Sequence, residues 1–274
     1  AGLGVAFNAP VGGAIFVFEE LTRVFRPRLT LATLIASAAA LAVSRPILGD
    51  VLDFRVAAVT EPDPRQLLAY VLLGALLGAL AVTYNRAVVI GLEFNARVVR
   101  WPVEVRAGAV GAVVGLVAWF GPSLVGDGHF LNQRILAHGL PALFLALVFG
   151  VRFVLGPVSY SAGTPGGLFA PLLLVGAAFG SLFGAVLGPV LGPSVPSAAA
   201  LAVVGMAAFF AAVVQAPLTG IVLIAEMTGK TVLLVPMLAA SVAASLTASL
   251  LGGRPIYDVL RERMLEGFAP HPFE

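Results

Sequence analysis

Residues Gly163–Pro171 read GTPGGLFAP and open a run, Leu168–Leu191, that carries no charged side chain. Three glycines and two prolines stand where an apolar segment long enough to cross a bilayer begins; a span needs about 20 residues. Proline at a helix start costs little, because the first amides have no intrahelical partner. Glycine leaves those amides uncovered. The stretch therefore predicts a helix that starts with bare N–H groups at its electropositive end. Within a membrane, such an end can hold a small anion without a lysine or arginine.

Composition supports that environment. Of 274 residues, 59% are hydrophobic and 11% charged, and mean hydropathy is +1.02. Soluble domains carry roughly 25% charged residues, so a deficit over the whole length indicates a polytopic helical membrane protein embedded in a lipid bilayer. The net charge is only +2 with scattered basic residues, which argues against nucleic acid as a partner. Cysteine is absent, which removes disulfides and thiolate metal sites. The many glycines and prolines inside apolar runs predict short and broken helices, a pattern of transporters and channels rather than anchors. The chain starts without methionine and without the basic start of a signal peptide, and is expected to be a piece of a longer protein.

Outward from the motif, the apolar spans are expected at 29–44, 66–92, 107–125, 139–156 and 168–191, followed by three pieces at 198–214, 216–227 and 231–251. The middle one is too short to cross alone. Residues 1–22 split into two short pieces at Pro10. The turns at 23–28 and 97–106 and the tail are arginine-rich, whereas the 45–65 loop holds four acids against three arginines. The positive-inside rule places the former, and the C-terminus, in the cytoplasm.

One internal repeat is visible. NAPVGGAIFVFE (8–19) and QAPLTGIVLIAE (215–226) align without a gap, each with an acid at the twelfth position. This suggests duplicated halves, in parallel or inverted arrangement. The expected division is the end of a first repeat at 1–65, a second inverted repeat at 66–251, and a cytoplasmic-side helix at 252–274.

Acids are rare: Asp127 is the only one between Glu104 and Glu226. Glu19 and Glu226, at equivalent repeat positions, read as structural, each solvated or bonded to backbone amides at a helix end. Glu20 has no acidic counterpart, since the aligned residue is Met227. That asymmetry marks it as a proton-transfer candidate. Arg152 reads as an anion ligand or, more commonly, as paired with backbone carbonyls. Tyr257 reads either as a hydroxyl donor to an anion or as an interfacial aromatic. His129, His138 and His271 fall in expected loops without metal-like spacing, and no enzymatic constellation is present.

GTPGGLFAP resembles the GxPGGxFAP signature of the CLC chloride channels and chloride/proton antiporters. FNAPVGG…FVFEE, QAPLTGIVLIAEMT and GGRPIY resemble three further family segments in the right order. The resemblance implies an all-α inverted-repeat fold of tilted and broken helices, and a homodimer whose surface comes from about 9–45 and 216–250. It implies no cofactor beyond the transported chloride and protons, and a multi-pass protein of the bacterial inner membrane. By position it implies that backbone N–H groups of Leu168 and Phe169 bind chloride, with Gly166 and Gly167 shaping the loop. Tyr257 would offer its hydroxyl to the same ion, and Glu20 matches the internal proton glutamate of the antiporter branch. The family's GSGIP and GREGP segments, with an ion-binding serine and a gating glutamate, are expected upstream of Ala1. No pair of CBS domains is expected after Tyr257, as in many bacterial members. The resemblance favours proton-coupled antiport, with a passive channel or a transport-incompetent dimerising fragment as the alternatives.

Overall fold

The computed structural model describes residues 1–49, 52–97, 102–162, 166–192 and 195–268. Gly163, Thr164 and Pro165 of the motif, together with Asp50, Arg100 and His271, lie outside them. Among the described residues all regular secondary structure is helical. The order is α1 (Gly2–Ala6), α2 (Pro10–Phe16), a π-helical turn (Val17–Thr22), α3 (Pro27–Leu48), α4 (Leu67–Arg97), α5 (Val103–Phe120) and α6 (His129–His138). It continues with α7 (Ala142–Tyr160), α8 (Phe169–Leu191), α9 (Ala198–Val214), α10 (Pro217–Thr228), α11 (Leu234–Leu250) and α12 (Ile256–Phe268). Among the described residues, six helices are long and apolar enough to cross a membrane: Pro27–Leu48, Pro64–Asn95, Val103–Phe120, Ala142–Tyr160, Phe169–Pro189 and Thr231–Leu250.

Several boundaries move from those expected. The first span runs from Pro27 to Leu48 rather than 29–44, because Pro27 occupies the first turn, where its missing N–H costs nothing. Pro46 falls in the last turn and does not end the helix. The span expected at 139–156 reaches Tyr160 despite Pro157. His129 and His138 are the first and last residues of α6 rather than loop residues.

The centre of the molecule is α9. Every side chain from Ala199 to Val214 is buried, as a helix apolar on all sides requires. It packs against α8, α11, α4 and α10. Its crossing with α8 depends on glycine: a Cβ at Gly176 would land on the Gly205 carbonyl, and one at Gly205 on the Gly176 carbonyl. By contrast, α5 has no buried residue, and Trp119 and Phe120 are 83% and 82% exposed.

The two repeat segments pair. Helices α2 and α10 are in contact, so close that a Cβ at Gly12 would stand 2.7 Å from Leu223 Cα. Their starts match in conformation. Asn8 and Gln215 both adopt positive φ, 46° and 60°. The cap residues Ala9 and Ala216 have φ/ψ of −128°/75° and −122°/75°. Neither helix has a cap from its own first residues. The acid ending each repeat supplies one to the other: Glu226 accepts from Val11 N (3.2 Å) and Gly12 N (2.7 Å), and Glu19 from Leu218 N (3.1 Å) and Thr219 N (2.6 Å). Carboxylates at helix N-termini are favoured by both the free amides and the dipole.

Candidate functional site

Helix α8 begins at Phe169 with Leu168 as its cap residue, and no side chain caps it. Pro171, in its first turn, has no N–H to satisfy. The Leu168 side chain is buried. The Phe169 ring lies between Phe7 (4.4 Å between centroids) and Phe210 (5.1 Å), so α1 and α9 hold the start of α8 from two sides. Gly166 and Gly167 are exposed, and among the described residues a Cβ at Gly167 would meet nothing within 4 Å. Glycine there is not demanded by packing; it leaves the approach to the following amides open. A cavity of about 220 Å³ lies beside these residues, lined by Gly166, Gly167, Leu168, Tyr84, Arg152 and Tyr160.

Arg152 is buried in α7. Its Nη1 donates to the Gly126 carbonyl (2.6 Å) and its Nη2 to the Val125 carbonyl (2.8 Å). Of the two readings open from sequence, the structure therefore shows pairing with backbone carbonyls. The cation sits in the cavity wall with its terminal nitrogens engaged.

Tyr257 stands in the first turn of α12, and its place is set by hydrogen bonds to the segment before it. Asn85 Nδ2 donates to the Arg254 carbonyl (3.1 Å) and the Val213 carbonyl (3.0 Å), and Gln215 Nε2 donates to the Gly253 carbonyl (2.9 Å). These bonds join α4, α9 and the tail. An ion pair between Arg263 and Glu93 secures α12 further along. The Tyr257 ring meets Phe16 edge-on at 6.3 Å. Burial, then the nearby Tyr160 and Glu20, push its hydroxyl up to about 12. At neutral pH it is therefore a protonated donor. Tyr160 links the two parts of the site, since it lines the cavity at Gly166–Leu168 and lies within electrostatic reach of Tyr257.

Glu20 lies in the π-helical turn, outside the six candidate spans, and is only 8% exposed. Burial pushes its carboxyl up to about 7; Arg23 opposes that shift, and Asp258 and Glu19 add to it. A carboxyl titrating near neutrality can take up and release protons at working pH. Its neighbour Glu19 is bound to the amides of α10. The two adjacent acids thus do different things: one is engaged as a cap, and the other is buried near Tyr257.

Two features were missed in the sequence. The π-helical turn, which buries Glu20 while Glu19 reaches α10, has no sequence signal beyond the adjacent acids themselves. Arg23 and Asp258 form an ion pair at 2.8 Å. Asp258, next to Tyr257, was the residue that could have suggested it.

The chain is similar to known proteins in sequence and in fold. The family model for the voltage gated chloride channel matches residues 1–249. An H⁺/Cl⁻ exchange transporter ClcA of Cronobacter sakazakii is 34% identical over 272 residues, 97% of this chain and 58% of the relative. That of Vibrio cholerae is 35% identical over 270 residues, with the same coverage of 97% and 58%. The chain thus spans little more than half the length of these curated relatives. The crystal structure of a slow cyanobacterial Cl⁻/H⁺ antiporter superposes with a TM-score of 0.90 at 30% identity, covering 97% of this chain and 63% of that one. The all-helical fold, the paired repeats and these similarities lead to one assignment: the chain is a multi-pass membrane protein and belongs to the voltage-gated chloride channel (CLC) family.

Proposed function

We propose that this chain forms part of a proton-coupled chloride antiporter. In this reading the backbone N–H groups of Leu168 and Phe169 bind chloride, Gly166 and Gly167 keep the approach open, and the Tyr257 hydroxyl donates to the same ion. Glu20 receives and releases the proton. The observation that carries the reading is Glu20 itself: an acid on one repeat only, nearly buried, and close to the tyrosine assigned to the anion. A passive channel has no use for such a group. The relatives described as exchangers support the same choice. The full-length protein is proposed to work as a homodimer through the faces around α2, α3, α10 and α11, with the C-terminus in the cytoplasm of a bacterial cell. The division into 1–65, 66–251 and 252–274 belongs to the same proposal, with the paired capping at Glu19 and Glu226 in its support.

Anion binding by dipoles rather than by a cation suits transport. A buried arginine directly on the ion would hold it too tightly for fast release, whereas amide and hydroxyl donors stabilise it without a net opposite charge. Calorimetric chloride titration of the full-length protein tests the site. Arg152→Met is expected to keep measurable chloride binding once the protein is folded. Complete dependence of binding on the Arg152 charge would rule out the backbone model.

A further inference from the structure

Arg23 terminates the π-helical turn in the left-handed region, at φ 52°. Few non-glycine residues adopt that conformation, and here it directs the side chain between two carboxylates. Its Nη2 stands 2.8 Å from Asp258 Oδ1 and 3.8 Å from Glu20 Oε1. Arg23 is three residues after Glu20, but Asp258 is 235 residues after Arg23, on the tail helix and adjacent to Tyr257. The charged and titratable groups facing Glu20 are therefore Arg23 and Glu19 from its own segment, and Asp258 and Tyr257 from α12. Glu19 is already engaged by the amides of α10. Arg23 is thus the one cation in this set, and it is shared unequally.

We propose that Arg23 is a positioning residue held by Asp258, and that this sharing sets how readily Glu20 takes a proton while fixing the helix that carries Tyr257. The proposal rests on the reading of Glu20 as the proton-transfer residue. The short contact gives Asp258 the larger claim on the guanidinium and leaves Glu20 with a weak, long one. Proton uptake at Glu20 is then tied to the docking of α12: if the tail helix moves away, Arg23 is released toward Glu20 and favours its ionised form.

The two ends of the pair predict opposite effects. In Arg23→Gln, Glu20 keeps its acidic neighbours and loses its cation, so it protonates at a higher pH. In Asp258→Asn, the guanidinium is no longer shared and turns to Glu20, so Glu20 protonates at a lower pH. Each shift is expected to be about one pH unit or less, because Arg23 is half exposed and salt screens the pair. The charge of Asp258 acting on Glu20 directly gives the same signs, so the sharing is read from the double variant: without Arg23, Asp258→Asn should displace Glu20 less than it does in the wild type. Arg23→Lys, which keeps the charge, should titrate close to the wild type.

The test is an infrared titration of the protonated-carboxyl band in the full-length protein, with Glu20→Gln as the blank. Its readout does not depend on transport. Opposite displacements in Arg23→Gln and Asp258→Asn, with that of Asp258→Asn reduced in the Arg23→Gln background, support the proposal. Displacement of both in one direction or of neither, or an Asp258→Asn displacement unchanged in that background, overturns it. If the opposite shifts appear while Glu20→Gln leaves proton-coupled chloride flux intact, the positioning role stands and the assignment of Glu20 to proton transfer falls.

Discussion

Glu19 and Glu226 each cap the helix of the opposite repeat, Glu19 at Leu218 and Thr219 of α10 and Glu226 at Val11 and Gly12 of α2. The exchange makes the two repeats interdependent. It also removes Glu19 from the pool of free carboxylates and leaves Glu20 as the nearby acid without such a tie. The same arrangement thus both joins the repeats and separates the roles of two adjacent acids.

Truncation of either cap should be costly. Hydrogen bonds to a charged acceptor are each worth about 1.5–3 kcal/mol, and partial exposure on the Val11 side reduces the sum. Glu226→Ala is expected to destabilise the protein by about 2–3 kcal/mol, and Glu19→Ala by a similar amount. Glu226→Gln, which keeps one acceptor oxygen, should cost less than Glu226→Ala. Thermal unfolding in detergent measures the order, and a neutral Glu226→Ala would remove the capping role.

Phe169 separates packing from binding. Its ring is wedged between Phe7 and Phe210, so Phe169→Ala is expected to destabilise by about 3 kcal/mol. Its amide remains, so chloride affinity in the folded variant should fall by less than about tenfold, or ~1.4 kcal/mol. Denaturation and calorimetric titration of the same preparation check both halves.

Tyr257→Phe deletes a donor and almost nothing else. The loss of one hydrogen bond to an anion is worth about 1.5 kcal/mol, so chloride should bind about tenfold more weakly. The phenyl ring retains its contact with Phe16, and unfolding should change little. An unchanged chloride affinity would return Tyr257 to the role of an interfacial aromatic.

Glycine at position 167 is predicted to matter for access rather than for folding. Since a Cβ there meets nothing within 4 Å among the described residues, Gly167→Ala should alter stability by no more than about 0.5 kcal/mol. Chloride affinity should nonetheless fall, because the methyl group stands on the approach to the amides.

Much of the fold could be read from the chain, for identifiable reasons. The apolar runs were long enough to mark the spans, and Asn/Gln-Ala-Pro with an acid at the twelfth position marked the repeat. The helix ends moved because proline is tolerated in first turns, as at Pro27, and Pro46 and Pro157 did not stop their helices. Backbone engagement of Glu19 and Glu226 was foreseeable from their equivalent positions. That each serves the other's helix was not, because residues more than 200 apart meet only in the folded chain. Arg23 and Asp258 escaped notice for the same reason. The π-helical turn also lacked a signal, because a single extra residue per turn leaves the apolar pattern nearly unchanged.

Glu20 carries the pH dependence. Its folded value of about 7 lies above the ordinary 4.5, so the folded state binds the proton more tightly than the unfolded chain. The stabilisation is complete below pH 4.5 and is lost as pH rises through 7. The full change is on the order of 3.4 kcal/mol, and Glu20→Gln should abolish that part of the pH dependence. Unfolding measured from about pH 4 to about pH 8, which brackets both values, tests the sign. Greater stability at the alkaline end attributable to Glu20 would contradict it.

Coupling itself is the most direct test. The full-length protein in liposomes, given a chloride gradient and no other driving force, is predicted to move protons opposite to chloride. Glu20→Gln is predicted to suppress the proton movement while chloride still crosses. Chloride flux in the wild type with no accompanying proton movement would contradict the account.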